Sequence, residues 1–451
     1  MDPTFDKAVI AAVSNRVHKV PTVDVALAQV GGLSQPVHTL YGGAQLFKNG
    51  SLAKLGDLAR GHFTSWVDSD RALVSILDLE EDRETPWSTV YESVVGRLRH
   101  KPIEDFRIDF EDGYGARSSE EEDLDAIRTA ACLAHEMEAD FLPPSFGIRV
   151  KAFLPETVQR SIRTLDLFMT QFLEATSGVL PSGFVVTLPK VTHKIQVGAI
   201  SDLLELIEGR FSLARRSIRI ELMVEGPEAL VTEHGTNPLK GIVGEAQGRC
   251  RGVHFGTYDY SAALDVSAEY QSMDHPACIY ALLSMKASLH GSRVWLADGA
   301  TNILPLPVHR EIGTRPLTVG QKIENEAQVK RAWQQSFRAV HNSLKLGLYQ
   351  GWDLHPYQIG IRLVAHYAFF LRYLPSAMQR LSSFLAKAAQ ATAIGGTFDD
   401  AATGQGLLNF FIRALELGVI GTDHLKQVGI TSEELMSRSF IGIVEGRRNM
   451  K

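Results

Sequence analysis

The feature that most constrains the fold of this chain is the regular spacing of its short apolar segments. Six of them begin at residues 106, 146, 184, 218, 252 and 293, so that consecutive segments start 34 to 41 residues apart. Each interval has room for one helix and two loops, which is the spacing of a βα unit. Several segments are apolar almost throughout, as are strands that are covered on both sides. Eight such units close a (β/α)8 barrel.

Eight segments are predicted to be the strands of this barrel. They are PVHTLYG (36–42), FRIDF (106–110), FGIRVKAF (146–153), FVVTLP (184–189), IRIELMV (218–224), GVHFG (252–256), RVWLAD (293–298) and GWDLH (351–355). The interval between the first two of these segments exceeds 60 residues and contains ALVSILDLEED (72–82). We interpret that run as a helix or an insertion; a strand is the alternative, and it would leave the N-terminal segment outside the barrel.

Helices are predicted between the strands and after the last one. Ser119-Glu-Glu-Glu122 is a capping-box pattern, and apolar residues at helical spacing follow it. Residues 361–393 and 407–418 also have helical patterns, separated by the Gly-rich break GGTFDD (395–400). We therefore predict an α/β TIM barrel (36–360), preceded by an N-terminal helical segment (1–35) and followed by a C-terminal helical extension (361–451).

Composition and charge exclude several functional classes. The formal net charge is −6, from 46 Lys and Arg against 52 Asp and Glu, and no long basic run suggests a nucleic-acid partner. No stretch of 18 apolar residues predicts a membrane span, and the first residues lack the apolar core of a signal peptide. The three cysteines, Cys132, Cys250 and Cys278, are widely spaced and are expected to be reduced thiols. A soluble cytoplasmic protein is therefore expected.

Charged residues stand at the C-terminal ends of the predicted strands. These ends converge on one face of a barrel, where active sites are built. The resulting cluster would contain Asp109, Glu111, Asp112, Glu225, Asp259 and Asp298, together with Arg149 and Lys190. So many carboxylates repel each other unless protons or a cation compensate for their charge. Mg²⁺ is the expected cation because it prefers oxygen ligands, and the sequence has no Cys/His spacing typical of zinc.

Seven motifs around these residues occur in a recognisable order over roughly residues 36–360. They are Asp109-Phe-Glu-Asp112, Ile148-Arg149-Val150-Lys151, Thr187-Leu-Pro-Lys190, Val224-Glu225-Gly-Pro-Glu-Ala-Leu230, Gly252-Val-His-Phe-Gly256 with Asp259, Val294-Trp-Leu-Ala-Asp298 and Gly351-Trp-Asp-Leu-His355-Pro-Tyr-Gln358. This series resembles the strand ends of the superfamily that includes HpcH/HpaI aldolases, citrate lyase β-subunits and malate synthases. Each motif alone is weak, but seven in order are specific at the level of the superfamily.

The resemblance implies a function and a role for each central residue. Glu225 and Asp259 would be the ligands of Mg²⁺, with Mn²⁺ or Co²⁺ as alternatives. Glu111 and Asp112 would hold metal-bound waters, and Arg149 would contact the carbonyl or enolate oxygen of the substrate. The implied activity is that of an aldolase-type carbon–carbon lyase, acting on a 2-oxo or 2-hydroxy acid through a metal-stabilised enolate. Relatives of this kind imply a homo-oligomer, a trimer or a hexamer.

The chain also departs from the superfamily pattern. Gly226 stands where Thr is usual, Lys151 where Asn is usual and Tyr260 where Leu is common. The substrate of a relative therefore does not transfer to this chain. Two other functions stay open: an acyl-CoA lyase, synthase or thioesterase of the malyl-CoA/citrate lyase β type, and an inactive binding scaffold. The motifs assign no coenzyme A contacts, so the use of a CoA thioester stays open as well.

Substrate contacts are predicted for Lys190, Asp298 and His355, but these positions and Arg149 have structural alternatives. Arg149 could be the buried ion-pair partner of Asp109, and Lys190 could form a salt bridge with Glu225 or Glu221. His355 could set a strand-end turn, with its imidazole hydrogen-bonded to the backbone. Three further histidines are candidates for acid/base groups without a partner evident from sequence: His193, His254 and His275.

Overall fold

The computed structural model describes residues 14–16, 34–100, 102–311, 315–386, 392–394, 397–399 and 401–449. Eight parallel strands form one sheet in the order β7-β6-β5-β4-β3-β2-β1-β8. They are β1 (His38–Gly43), β2 (Asp105–Asp109), β3 (Ser145–Arg149), β4 (Phe184–Leu188), β5 (Arg219–Val224), β6 (Cys250–Phe255), β7 (Trp295–Ala297) and β8 (Gly351–Asp353). A parallel bridge between Ala297 and Gln350 joins the two edge strands. The predicted TIM barrel and all eight of its strands are confirmed.

Helices alternate with the strands and continue beyond the last one. They are α1 (Ser51–Trp66), α2 (Asp70–Leu77), α3 (Trp87–Arg99), α4 (Ser119–Glu138), α5 (Val158–Ala175), α6 (Lys194–Arg210), α7 (Leu239–Gly244), α8 (Thr257–Ala263), α9 (Pro276–Ser288), α10 (Val319–Lys345), α11 (Ile359–Ala386), α12 (Ala401–Glu416), α13 (Thr422–Val428), α14 (Ser432–Met436) and α15 (Phe440–Asn449). The predicted N-terminal helical segment (1–35) lies almost wholly outside the described residues. Within the described part of the chain, no helix is both long and apolar enough to cross a membrane.

Local sequence signals account for the helices of the long first interval. The Ser69 hydroxyl accepts a hydrogen bond from the Ala72 N–H and caps α2, as small hydroxyl residues do at helix N-termini. The run 72–82 is thus a helix followed by a turn, as preferred in the sequence interpretation. Leu73 and Leu77 of α2 are buried, so this helix packs on the barrel instead of adding a strand to it.

Two local predictions were wrong. The capping box of α4 is formed by Ser118 and Glu121, one residue earlier than predicted, because the same Ser-x-x-Glu pattern fits both registers. The predicted helical pattern of 361–393 extends too far, because Thr392–Ile394 form β9, which pairs antiparallel with β10 (Thr397–Asp399) inside the predicted break. Two of the three residues of β9, Thr392 and Ile394, are β-branched, and such residues favour extended backbone over helix.

Charged side chains fill the interior of the barrel, where branched aliphatic residues usually predominate. Arg107 on β2 is fully buried, pairs with Asp105 and lies 2.5 Å from Glu221 Oε2. Arg251 on β6 reaches the other oxygen of Glu221 at 2.9 Å. These opposite charges compensate each other; leaving one of them unpaired in the interior would cost about 3–5 kcal/mol.

The apolar core lies between the outer faces of the strands and the helices. Phe168 and Phe172 of α5 stack on Phe184 of β4, with ring centroids 6.4 and 5.6 Å apart. Helix α12 of the C-terminal extension packs in the same way, because the ring of Phe410 lies 5.1 Å from that of Phe370 on α11. Four of these rings are fully buried, and each contributes about 1.5–3 kcal/mol: Phe168, Phe172, Phe184 and Phe370.

Candidate metal and substrate site

A cavity of about 430 Å³ opens at the C-terminal ends of the barrel strands. Its lining comes from the ends of β1, β2, β3, β5, β6 and β8 and from the loops that follow them. This size is within the usual range for small-molecule sites. Residues that are far apart in sequence meet here because parallel strands all end on the same face.

Three carboxylates form the acidic side of the cavity. One oxygen each from Asp112, Glu225 and Asp259 lies within 4.8 Å of the other two. Glu225 follows β5 directly and is buried, whereas Asp259 lies in the first turn of α8 and is exposed. Gly256 permits this approach, since a Cβ atom at that position would lie 2.4 Å from Glu225 Cγ. Among the described residues, these three side chains are the one group that could hold a metal ion through three ligands.

The electrostatics of Glu225 favour a cation at this place. Burial raises the pKa of Glu225 to about 7, against the opposing effect of Arg149 and with a further increase from the charge of Asp259. The backbone N–H of Lys190 donates to Glu225 Oε2 at 2.7 Å and offsets part of that increase. All three ligand atoms are carboxylate oxygens, so the residues fit a hard divalent cation such as Mg²⁺. A bound cation would replace the proton that Glu225 otherwise partly retains at neutral pH.

Arg149 is a buried ion-pair partner and also a cation that lines the cavity. Its Nε and Nη2 donate to the two oxygens of Asp109 at 2.7 and 2.6 Å. Its Nη1 lies 3.4 Å from Glu111 Oε2, and its guanidinium lies over the ring of Tyr41 at 4.8 Å. Asp109 thereby fixes the guanidinium plane, so the two interpretations of Arg149 are compatible.

Lys190 has partners other than those considered from the sequence. Its ammonium contacts Glu111 and lies 3.1 Å from Asp112 Oδ1, whereas only its backbone N–H reaches Glu225. Burial raises the pKa of Glu111 despite the nearby Arg149. Burial would raise the pKa of Asp112 too, but its hydrogen bond with Glu111 and the two cations hold it below the ordinary value. Lys190 therefore compensates for the charge of the Glu111–Asp112 pair at the rim of the cluster.

Asp298 and His355 lie outside the set of residues that line the cavity. Asp298 is buried and accepts hydrogen bonds from the Ser343 hydroxyl on α10 and from the Gly299 N–H. His355 Nδ1 accepts the Tyr357 N–H at 3.2 Å and caps the 3₁₀ turn Pro356–Gln358. In this structure both side chains fix the backbone at strand ends, which for His355 is the structural alternative considered from the sequence.

Aromatic residues that the sequence interpretation missed form a further part of the cavity wall. Tyr41 and Trp352 pack at a centroid distance of 5.2 Å, together with Met223 and Ala300. Both aromatic side chains stand on predicted strands, β1 and β8, but neither has charge or a motif to single it out. Only their position near the C-terminal strand ends could have indicated from the sequence that they line the site.

The fold and the site define the chain as a TIM barrel with a carboxylate cluster and a buried arginine at the C-terminal ends of its strands. It belongs to the family described as a domain of unknown function (DUF6986), which matches residues 28–443. No curated protein matches the chain.

Several solved structures are similar to this chain. A citrate lyase from Burkholderia xenovorans LB400 is similar at a TM-score of 0.52 and 17% identity, over 75% of this chain and 92% of that one. A malate synthase from Haloferax volcanii with magnesium and glyoxylate gives a TM-score of 0.46 at 14% identity, over 91% of this chain and 96% of that one. The protein CitE from Mycobacterium tuberculosis, in complex with magnesium, acetoacetate and coenzyme A, gives a TM-score of 0.42 at 14% identity. The match covers 72% of this chain and 95% of that one. The similarity to the citrate lyase supports the barrel fold.

Proposed function

We propose that this chain is a Mg²⁺-dependent carbon–carbon lyase of the aldolase type, which acts on a 2-oxo or 2-hydroxy acid through an enolate. The observation that carries the proposal is the approach of Asp112, Glu225 and Asp259 to within 4.8 Å of one another. The buried cation Arg149 lines the same cavity. The fold shared with a citrate lyase supports a lyase in general terms.

The three carboxylates would hold the cation. Mg²⁺, when bound, supplies a Lewis acid that polarises a carbonyl and keeps positions that substrate oxygens can take. Mn²⁺ or Co²⁺ would fit the same oxygen ligands. Asp112, predicted from the sequence to hold metal-bound water, is here proposed as a direct ligand because its carboxylate belongs to the cluster.

The remaining residues prepare the cavity for developing negative charge. Arg149 would donate to the carbonyl oxygen of the oxo acid and stabilise the enolate that forms when the C3–C4 bond breaks. Since Asp109 already fixes the guanidinium, little reorganisation is needed, and one such donor is typically worth about 3 kcal/mol or more. Glu111 and Lys190 hold Asp112 in place, and the aromatic wall of Tyr41 and Trp352 excludes water from the reacting atoms.

Isothermal titration of pyruvate tests the proposal. We expect saturable binding with Mg²⁺ present, none with EDTA, and none with Asp259→Ala. Glu228→Gln is the matched control, because this exposed carboxylate follows Glu225 by three residues. Metal-independent binding, or no binding at all, would contradict the proposal.

Turnover separates the lyase from the other functions considered from the sequence. A panel of 4-hydroxy-2-oxo acids and of acyl-CoA thioesters, analysed by mass spectrometry, should show cleavage of the hydroxy-oxo acids. Turnover of the thioesters alone would favour the acyl-CoA enzymes, and binding without turnover of either class would favour a scaffold. We propose a trimer or hexamer as the oligomeric state, which light scattering checks.

A further inference from the structure

Three titratable side chains are arranged in a row inside the barrel, beneath Arg149. The Tyr41 hydroxyl oxygen on β1 lies 3.2 Å from His254 Nδ1 on β6. His254 Nε2 lies 3.3 Å from Glu221 Oε2 on β5. His254 and Glu221 are at most 1% exposed, and Tyr41 is the member of the row that lines the cavity. The row therefore leads from the substrate cavity into the interior.

The charges around Glu221 determine how protons are placed along this row. Burial alone would raise the pKa of Glu221, but Arg107, His254 and Arg251 hold it well below its ordinary value. His254 Nε2 makes no hydrogen bond with good geometry, but at 3.3 Å the charge of an ionised Glu221 favours the His254 tautomer that carries its hydrogen on Nε2. His254 Nδ1 is then an acceptor, and the Tyr41 hydroxyl donates to it.

This order of groups resembles the arrangement in which a carboxylate orients an imidazole that acts as a base. In hydrolases, an imidazole oriented by a carboxylate takes the proton of a hydroxyl group, and the carboxylate stabilises the imidazolium that results. Here the hydroxyl belongs to a phenol whose ring lies against the proposed enolate site, since Arg149 lies over that ring at 4.8 Å. The two arginines on Glu221 keep the carboxylate ionised and fixed for that role.

We propose that Tyr41 is the catalytic residue that exchanges the C3 proton of the oxo acid, with His254 as its proton acceptor and the ionised Glu221 as the residue that positions His254. The inference rests on the proposed function. In enolisation the C3–H bond breaks, its proton goes to the Tyr41 oxygen, and the phenolic proton passes to His254 Nδ1. The electron pair forms the C2–C3 double bond and places charge on the C2 oxygen near Arg149. In the reverse direction the same path protonates the enolate after carbon–carbon cleavage.

The test is the exchange of the C3 hydrogens of pyruvate in D₂O with Mg²⁺, followed by NMR. Tyr41→Phe removes the phenolic proton, and His254→Gln keeps an acceptor and a donor at the same position but cannot take up a proton. For both variants we expect an exchange rate about 10²–10⁴-fold lower than that of the wild type, with a pyruvate affinity within about threefold. Tyr367→Phe is the control, because this buried tyrosine on α11 lies outside the cavity.

The outcomes distinguish the proton relay proposed for Tyr41, His254 and Glu221 from the proposed function. Near-normal exchange in folded His254→Gln overturns the relay, even if Tyr41→Phe fails to fold, because a structural role of His254 would survive this substitution. An exchange rate that falls only in proportion to pyruvate binding overturns it as well. Wild-type protein that binds pyruvate with Mg²⁺ but does not exchange its hydrogens overturns the relay alone. Absence of metal-dependent binding in the wild type overturns both.

Discussion

Replacement of Glu225 by glutamine should stabilise the metal-free protein at alkaline pH. The pKa of Glu225 is raised from 4.5 to about 7, mainly by burial. The folded state therefore binds this proton more tightly than the unfolded chain does. The stability that this bound proton contributes is fully present below pH 4.5, is lost as the pH rises to about 7, and changes little above that. The difference in pKa corresponds to about 3 kcal/mol.

Glutamine keeps the shape and the acceptor for the Lys190 N–H but has no charge to bury. In EDTA, urea denaturation should show Glu225→Gln to be more stable than wild type by up to about 3 kcal/mol at pH 8, with a much smaller difference near pH 4.5. Added Mg²⁺ should stabilise the wild type and leave the variant unchanged. Glu228→Gln, which changes an exposed carboxylate, should follow the wild type. A variant that is no more stable at pH 8 than the wild type would refute the burial argument.

Three other substitutions test parts of the account. Asp109→Ala leaves the guanidinium of Arg149 buried without its two closest acceptor oxygens. Chemical denaturation should therefore show that the free energy of unfolding falls by about 3–5 kcal/mol. A fall of less than about 1 kcal/mol would contradict the proposed role of Asp109 in fixing Arg149. Gly147→Ala places a Cβ 1.7 Å from a carbonyl oxygen of β4, so circular dichroism should show no cooperative folding, and a native melting curve would refute the packing. His355→Ala removes a turn cap and should cost about 1 kcal/mol with unchanged Mg²⁺ affinity by titration; loss of pyruvate binding would instead restore its predicted substrate contact.

The barrel was predictable because its signal is periodic. Apolar runs 34 to 41 residues apart leave few alternatives to repeated βα units, and each predicted strand overlaps an observed one. The same topology places Glu225 and Asp259 at neighbouring strand ends, so their proximity followed from the fold. The one-residue error at Ser118 arose because two overlapping patterns satisfy the same cap.

Side-chain directions within the site were less accessible from the sequence. Asp298 is at a strand end, as predicted, but its carboxylate points to Ser343 on α10, a contact 45 residues away that no local pattern shows. His254 had no evident partner because Tyr41 and Glu221 are distant in sequence and meet it only inside the barrel. Long-range contacts of this kind depend on the strand register and on how each side chain packs.

Crystallography with Mn²⁺ and pyruvate tests the central claim most directly, because the anomalous signal of the ion locates it independently of the protein. We expect one ion coordinated by Asp112, Glu225 and Asp259, with the oxo acid on the ion and its carbonyl oxygen within hydrogen-bond distance of Arg149. An ion bound elsewhere, or pyruvate bound in this cavity without one, would contradict it.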